Sequence, residues 1–98
     1  MSSEYAERKL SRRRVVVTGR VQGVGFRWSA RSRASELDLT GWVRNLPDRR
    51  VEICFQGETG AVDEMEDWCR AGSPYSYVRG ITVSDDIPVD GENGFEVR

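Results

Sequence analysis

A short β-branched strand that runs into a glycine-rich turn and then a helix restricts this chain to few architectures. Arg14-Val15-Val16-Val17-Thr18 is closed by Gly19, reads as a strand buried on both faces, and is followed by glycines at positions 23 and 25. Beyond them Phe26, Ala30, Ala34 and Leu37 recur at i, i+4, i+8 and i+11, with Arg31, Arg33 and Glu36 between them, the pattern of an amphipathic helix. Gly41 to Asn45 and Val51 to Gln56 are strand-like and are joined by Leu46-Pro47-Asp48-Arg49, which has turn chemistry, so a hairpin is expected there. Val51, Ile53 and Phe55 mark its buried face, leaving Glu52, Cys54 and Gln56 on the other. Trp42 falls opposite Val43 and Asn45 and is expected to cover the helix-free side.

Thr59 is placed to cap a second helix, with Asp63 and Glu64 in its first turn, Val62, Met65 and Cys69 or Trp68 inward, Arg70 in its last turn and Gly72 beyond it. Met65, Trp68 and Phe55 read as core, and Trp28 as packing on the first helix. Tyr77 to Val83 reads as a strand with Ile81 and Val83 inward, residues 86–94 as a loop, and Phe95 to Arg98 as a short terminal strand. The order βαββαβ plus a final strand predicts an α+β, ferredoxin-like split βαβ sandwich, with an antiparallel sheet and two helices on one face. In that arrangement the first and third strands are central, and the second lies outside the third, parallel to the first. The loop after Gly19 and the strand end at Asn45 then share one edge, about 10 Å apart, twice the strand spacing.

Composition narrows the function. With 98 residues the chain has room for one small domain, expected over residues 13–98 behind a flexible N-terminal tail of residues 1–12. Val15 to Val17 and Ile53 to Phe55 are the longest apolar runs, so no membrane segment is expected and the location is expected to be cytoplasmic. There Cys54 and Cys69 should be free thiols. The chain has no histidine, which removes the commonest metal ligand and the usual neutral-pH base, and two cysteines make half a structural zinc site. No metal and no cofactor is expected. All fifteen basic residues except Lys9 are arginine, but sixteen acidic residues offset them to a net charge of −1, so no nucleic-acid partner is expected and the mixed surface fits a monomer.

A glycine-rich turn that opens a helix can aim several N–H groups at one anion. Arg27 falls in the first turn of that helix, where a cation opposes the helix dipole and needs compensation, by an anion or by an acid such as Glu36 or Asp48. The glycines do not fit the G-x-G-x-x-G or G-K-[ST] patterns of nucleotide loops. Asn45 before Leu46-Pro47 reads, taken alone, as a turn residue.

Taken together, Gly19-Arg20-Val21-Gln22-Gly23-Val24-Gly25-Phe26-Arg27 and Gly41-Trp42-Val43-Arg44-Asn45 resemble the paired signature of acylphosphatases in order and separation. The resemblance runs from about Arg13 to Arg98 and extends to Gly57, Gly72 to Pro74 and Phe95. Gly25 stands where many animal members carry an aromatic residue, as in prokaryotic members, and the charged N-terminal tail is longer than a minimal member needs. The resemblance implies hydrolysis of the carboxyl-phosphate bond of acyl phosphates to carboxylate and inorganic phosphate. It implies Gln22, Gly23, Val24, Gly25, Phe26 and Arg27 as the phosphate-binding set, with Arg27 as the phosphate-binding arginine and Asn45 orienting the attacking water. Two other readings are a ferredoxin-like module that binds RNA on its open sheet face, against which the third strand presents Glu52, Cys54 and Gln56 rather than aromatics there, and a non-catalytic phosphate-binding or accessory domain of the kind found in larger carbamoyl-transfer maturation proteins. No attached partner domain is expected.

Overall fold

The computed structural model describes residues 9–98. The elements are β1 (Leu10–Arg20), α1 (Phe26–Glu36), β2 (Thr40–Asn45), β3 (Val51–Glu58), α2 (Thr59–Ala71), β4 (Tyr77–Asp86) and β5 (Phe95–Val97). They form one sheet in the order β4-β1-β3-β2-β5. β1 lies between its antiparallel neighbours β3 and β4, and β2 pairs antiparallel with β3. The expected βαββαβ order and central strands are therefore found.

Three expectations need correction. The sheet is mixed rather than antiparallel, because β5 pairs parallel with β2. The segment after β4 leaves one edge of the sheet and returns at the other, so the last strand enters from the end at which β2 also starts. Second, β1 begins at Leu10, before the boundary drawn at residue 13. Leu10, Ser11 and Arg12 pair with Glu58, Gly57 and Gln56, which satisfies their main-chain groups in the sheet. The rest of the expected tail, residues 1–8, lies outside the described residues. Third, Thr59 does not cap α2. The extended partner strand holds Glu58 at φ −60°, ψ 142°, so the helix starts one residue early, no side chain caps it, and its first turn has no acidic residue. The Thr59 hydroxyl instead hydrogen-bonds Ser11 Oγ at 2.7 Å.

Strand alternation sends Val15, Val17, Val43, Val51, Ile53 and Phe55 to one face, all of them fully buried. Alanines at positions 30 and 34 and Phe26 seat α1 against them, and Val62, Met65 and Cys69 do so for α2. Trp68 is half-buried at the rim of this core, its ring 5.2 Å from Phe26. α2 stops at Gly72, whose φ of 82° turns the chain while its N–H donates to Trp68 O.

The helix-free face is not an open platform. Glu52, Cys54 and Gln56 point there as expected but are buried at 7%, 0% and 9% exposure. Arg14 and Arg44 both donate to the Glu52 carboxylate, at 3.3 and 2.7 Å. Arg12, itself buried, donates to Gln56 Oε1 and to both oxygens of Glu92. Gln56 exchanges hydrogen bonds with the main chain of Val89, so the β4–β5 segment straps this end of the sheet. Trp42 lies under the guanidiniums of Arg98, Arg44 and Arg14, 4.7, 5.4 and 5.9 Å from its ring centre. A surface that stacked RNA bases would need exposed rings on this face.

Candidate active site

β1 and β2 flank β3 and run in the same direction, so their carboxyl ends emerge at one edge of the sheet. From β1 the chain passes through residues 21–25 into α1. Gly23 and Gly25 take φ values of 75° and 77°, a left-handed conformation that costs most residues about 1 to 2 kcal/mol. A Cβ at either position would meet nothing within 4 Å, so what glycine supplies here is the backbone turn and an unobstructed approach to the main chain. Gly25 ends the turn at the N-terminus of α1, where no side chain caps the helix and no acid occupies the first turn. The first N–H groups of a helix have no intrahelical partner and carry its positive end.

Gln22 ties this loop to the second motif. Its side-chain amide donates to the carbonyls of Leu46 and Arg50, both at 2.9 Å, in the turn that follows Asn45. That turn is closed by the Leu46 N–H donating to Arg50 O and the Arg49 N–H donating to Leu46 O. The Gln22 side chain is thus committed to the scaffold, and only its main chain is left to face a ligand. Phe26 is likewise buried in the core, so its contribution to the loop is an N–H group.

Arg27 sits half-buried in the first turn of α1. Neither acid that could have compensated it does so: Glu36 bonds Arg33 and Asp48 bonds Arg50. Instead Arg27 Nη1 donates to the main-chain oxygen of Arg98 at 2.6 Å, and the Arg98 N–H donates to Val43 O at 2.8 Å. One residue following β5 therefore bridges Arg27 to β2, two positions before Asn45. Sequence reasoning missed this link, because nothing in residues 95–98 announces which strand they join. Asn45 is exposed at the end of β2, opposite Val51, and its carboxamide makes no hydrogen bond to another described residue.

Trp28, expected to pack on the helix, is 58% exposed, with the Arg31 guanidinium 5.8 Å from its ring. The cysteines are free and buried, and burial pushes both thiols above their ordinary range, which disfavours the thiolate form. Among the described residues no three His, Cys, Asp or Glu side chains cluster at metal-ligand spacing.

The strand order and the two helices on one sheet face define a ferredoxin-like α+β domain, with the positive end of α1 at one sheet edge. Residues 13–97 match the model of the acylphosphatase family. The chain is 55% identical over 91 residues to an acylphosphatase of Rubrobacter xylanophilus, covering 93% of this chain and 83% of that protein. It is 51% identical over 98 residues to one from Trichormus variabilis, covering 100% and 96%. The crystal structure of Bacillus subtilis acylphosphatase superposes with a TM-score of 0.85 at 38% identity, covering 92% of this chain and 99% of that one. The chain belongs to the acylphosphatase family. Its activity is that of the family, hydrolysis of an acyl phosphate with release of inorganic phosphate.

Proposed function

We propose that the main-chain N–H groups of Gln22, Gly23, Val24, Gly25 and Phe26, together with the Arg27 guanidinium, hold the phosphoryl group, and that the Asn45 carboxamide orients the attacking water. The observation that carries this reading is the double tether. Gln22 binds the loop to the turn after Asn45, and Arg98 binds Arg27 to β2 beside Asn45.

The chemistry asks for little more. Water oxygen forms a bond to phosphorus while the bond from phosphorus to the acyl oxygen breaks, and its electron pair leaves on the carboxylate. The acid of that leaving group has a pKa of about 4, so it departs unprotonated at pH 7. The proton lost by water passes to a phosphoryl oxygen or to solvent. Charge in a loose phosphoryl-transfer transition state spreads over the equatorial oxygens, where prealigned N–H donors and a fork-shaped guanidinium stabilise it. Asn45 fixes the line of attack without acting as a base. No metal or cofactor enters any of these steps.

Titration calorimetry with inorganic phosphate, alongside turnover of benzoyl phosphate, separates the two roles. Arg27→Ala should lose both phosphate binding and turnover, whereas Asn45→Ala should keep binding while turnover collapses. Equal loss of binding in both variants refutes the assignment. The enzyme is further read as a cytoplasmic monomer, supported by two buried free thiols and a surface on which acids and arginines pair. A sedimentation mass above one chain at micromolar concentration would contradict that.

A further inference from the structure

Arg20, Arg49 and Arg79 line a cleft of about 250 Å³ together with Gly19, Val21 and Gln22. It opens beside the phosphate loop, with Gln22 forming part of both. Most other arginines are matched: Arg12, Arg14 and Arg44 on the sheet, and Arg33 and Arg70 on the helices, each lie within 4 Å of a carboxylate, while Arg27 meets a main-chain oxygen and Arg31 lies beside the Trp28 ring. Among the described residues none of the three arginines of the cleft has such a partner. In a chain with more acids than bases, three like charges gathered without a counterion raise the energy of the empty cleft.

The backbone is also bent to put them there. Arg49 holds φ 73°, a left-handed conformation that Gly or Asn would occupy at less cost. Gly19 holds φ 139° at the point where the β1–β4 register shifts, and a Cβ there would collide with the main chain of Tyr77. Bulges of this kind re-aim the next side chain, here Arg20, which pairs with Tyr77 two residues from Arg79.

We propose that this cleft receives a second anionic group carried at the far end of the acyl chain, so that acyl phosphates with an additional carboxylate or phosphate are preferred over neutral ones. The inference rests on the loop as the phosphoryl site and assigns Arg20, Arg49 and Arg79 to specificity rather than to the reacting bond.

The test compares benzoyl phosphate with 4-carboxybenzoyl and 4-phosphonobenzoyl phosphate, whose acyl ends differ only in charge. In the wild-type enzyme kcat/KM for the charged substrates should exceed that for benzoyl phosphate by about tenfold, through KM and less at high salt. The relative size of the two gains tells whether the cleft is matched to a carboxylate or to a phosphate. The double variant R49N/R79Q should turn over benzoyl phosphate normally and lose the preference. No preference in the wild-type enzyme, a preference that survives in R49N/R79Q, or loss of benzoyl phosphate turnover in that variant would each overturn the proposal. If Arg27→Ala stays active while the preference follows Arg49 and Arg79, the phosphoryl assignment fails and the cleft stands.

Discussion

The two ends of β1 use arginine in opposite ways. At its start, Arg12 and Arg14 are locked to Glu92, Asp86 and Glu52, and the charges are spent on holding strands and the β4–β5 segment together. At its far end, among the described residues, Arg20 has no acidic partner and Arg27, one loop later, meets only a main-chain oxygen. A guanidinium paired with a buried carboxylate contributes to stability and is unavailable to a ligand. One left without a side-chain carboxylate beside a helix N-terminus is available to bind an anion, at some cost in stability.

Substitutions at the two ends should therefore separate activity from stability. Arg27→Ala should have the largest effect, a fall in kcat/KM of about 10³-fold or more, as for other arginines that neutralise a transferring phosphoryl group, with little change in melting temperature. Asn45→Ala should lower kcat by about 10²-fold through a misplaced water, again in a normally folded protein. At the paired end the pattern inverts. Arg12→Ala strands Glu92 and Gln56 on a largely buried face and should cost about 2 to 3 kcal/mol in denaturant unfolding, while kcat of the folded fraction is unchanged. A stability loss from Arg27→Ala as large as that from Arg12→Ala would erase the contrast.

The smallest effect is a pH dependence. Hydrogen bonding from Arg12, helped by Thr40 and opposed by burial, holds the Glu92 carboxyl below its ordinary range. A carboxyl with a lowered folded-state pKa adds stability above its unfolded value, about 4.3, and loses it as pH falls through the folded one. The stability difference between the wild-type protein and Glu92→Gln should accordingly shrink between about pH 5 and pH 2, measured by urea unfolding at each pH.

Local pattern made much of this legible. The Val15 to Val17 run, the period of Phe26, Ala30 and Ala34, and the turn at residues 46–49 report short-range preferences, and the strand order follows from few alternatives. Arg27 and Asn45 stand out through the resemblance of their motifs to the acylphosphatase signature, since Asn45 taken alone reads as a turn residue. Thr59 misled for a related reason: a good capping residue stood one position inside the helix, since pairing with Leu10 and Ser11 carried β3 as far as Glu58.

By itself the sequence determined which segments are strands and helices, which faces are apolar, and which turn can gather N–H groups, because these depend on neighbours a few residues away. Tertiary structure alone decided that Gln22 clamps the Asn45 turn, that Arg98 holds Arg27, that the helix-free face is closed by ion pairs, and that Arg20, Arg49 and Arg79 share a cleft. Except for Arg44 and Glu52, which face each other across the β2–β3 hairpin, those contacts join residues tens of positions apart. Which carboxylate or carbonyl a long, flexible side chain finds depends on strand register and on the path of the last connection, which local propensities do not encode.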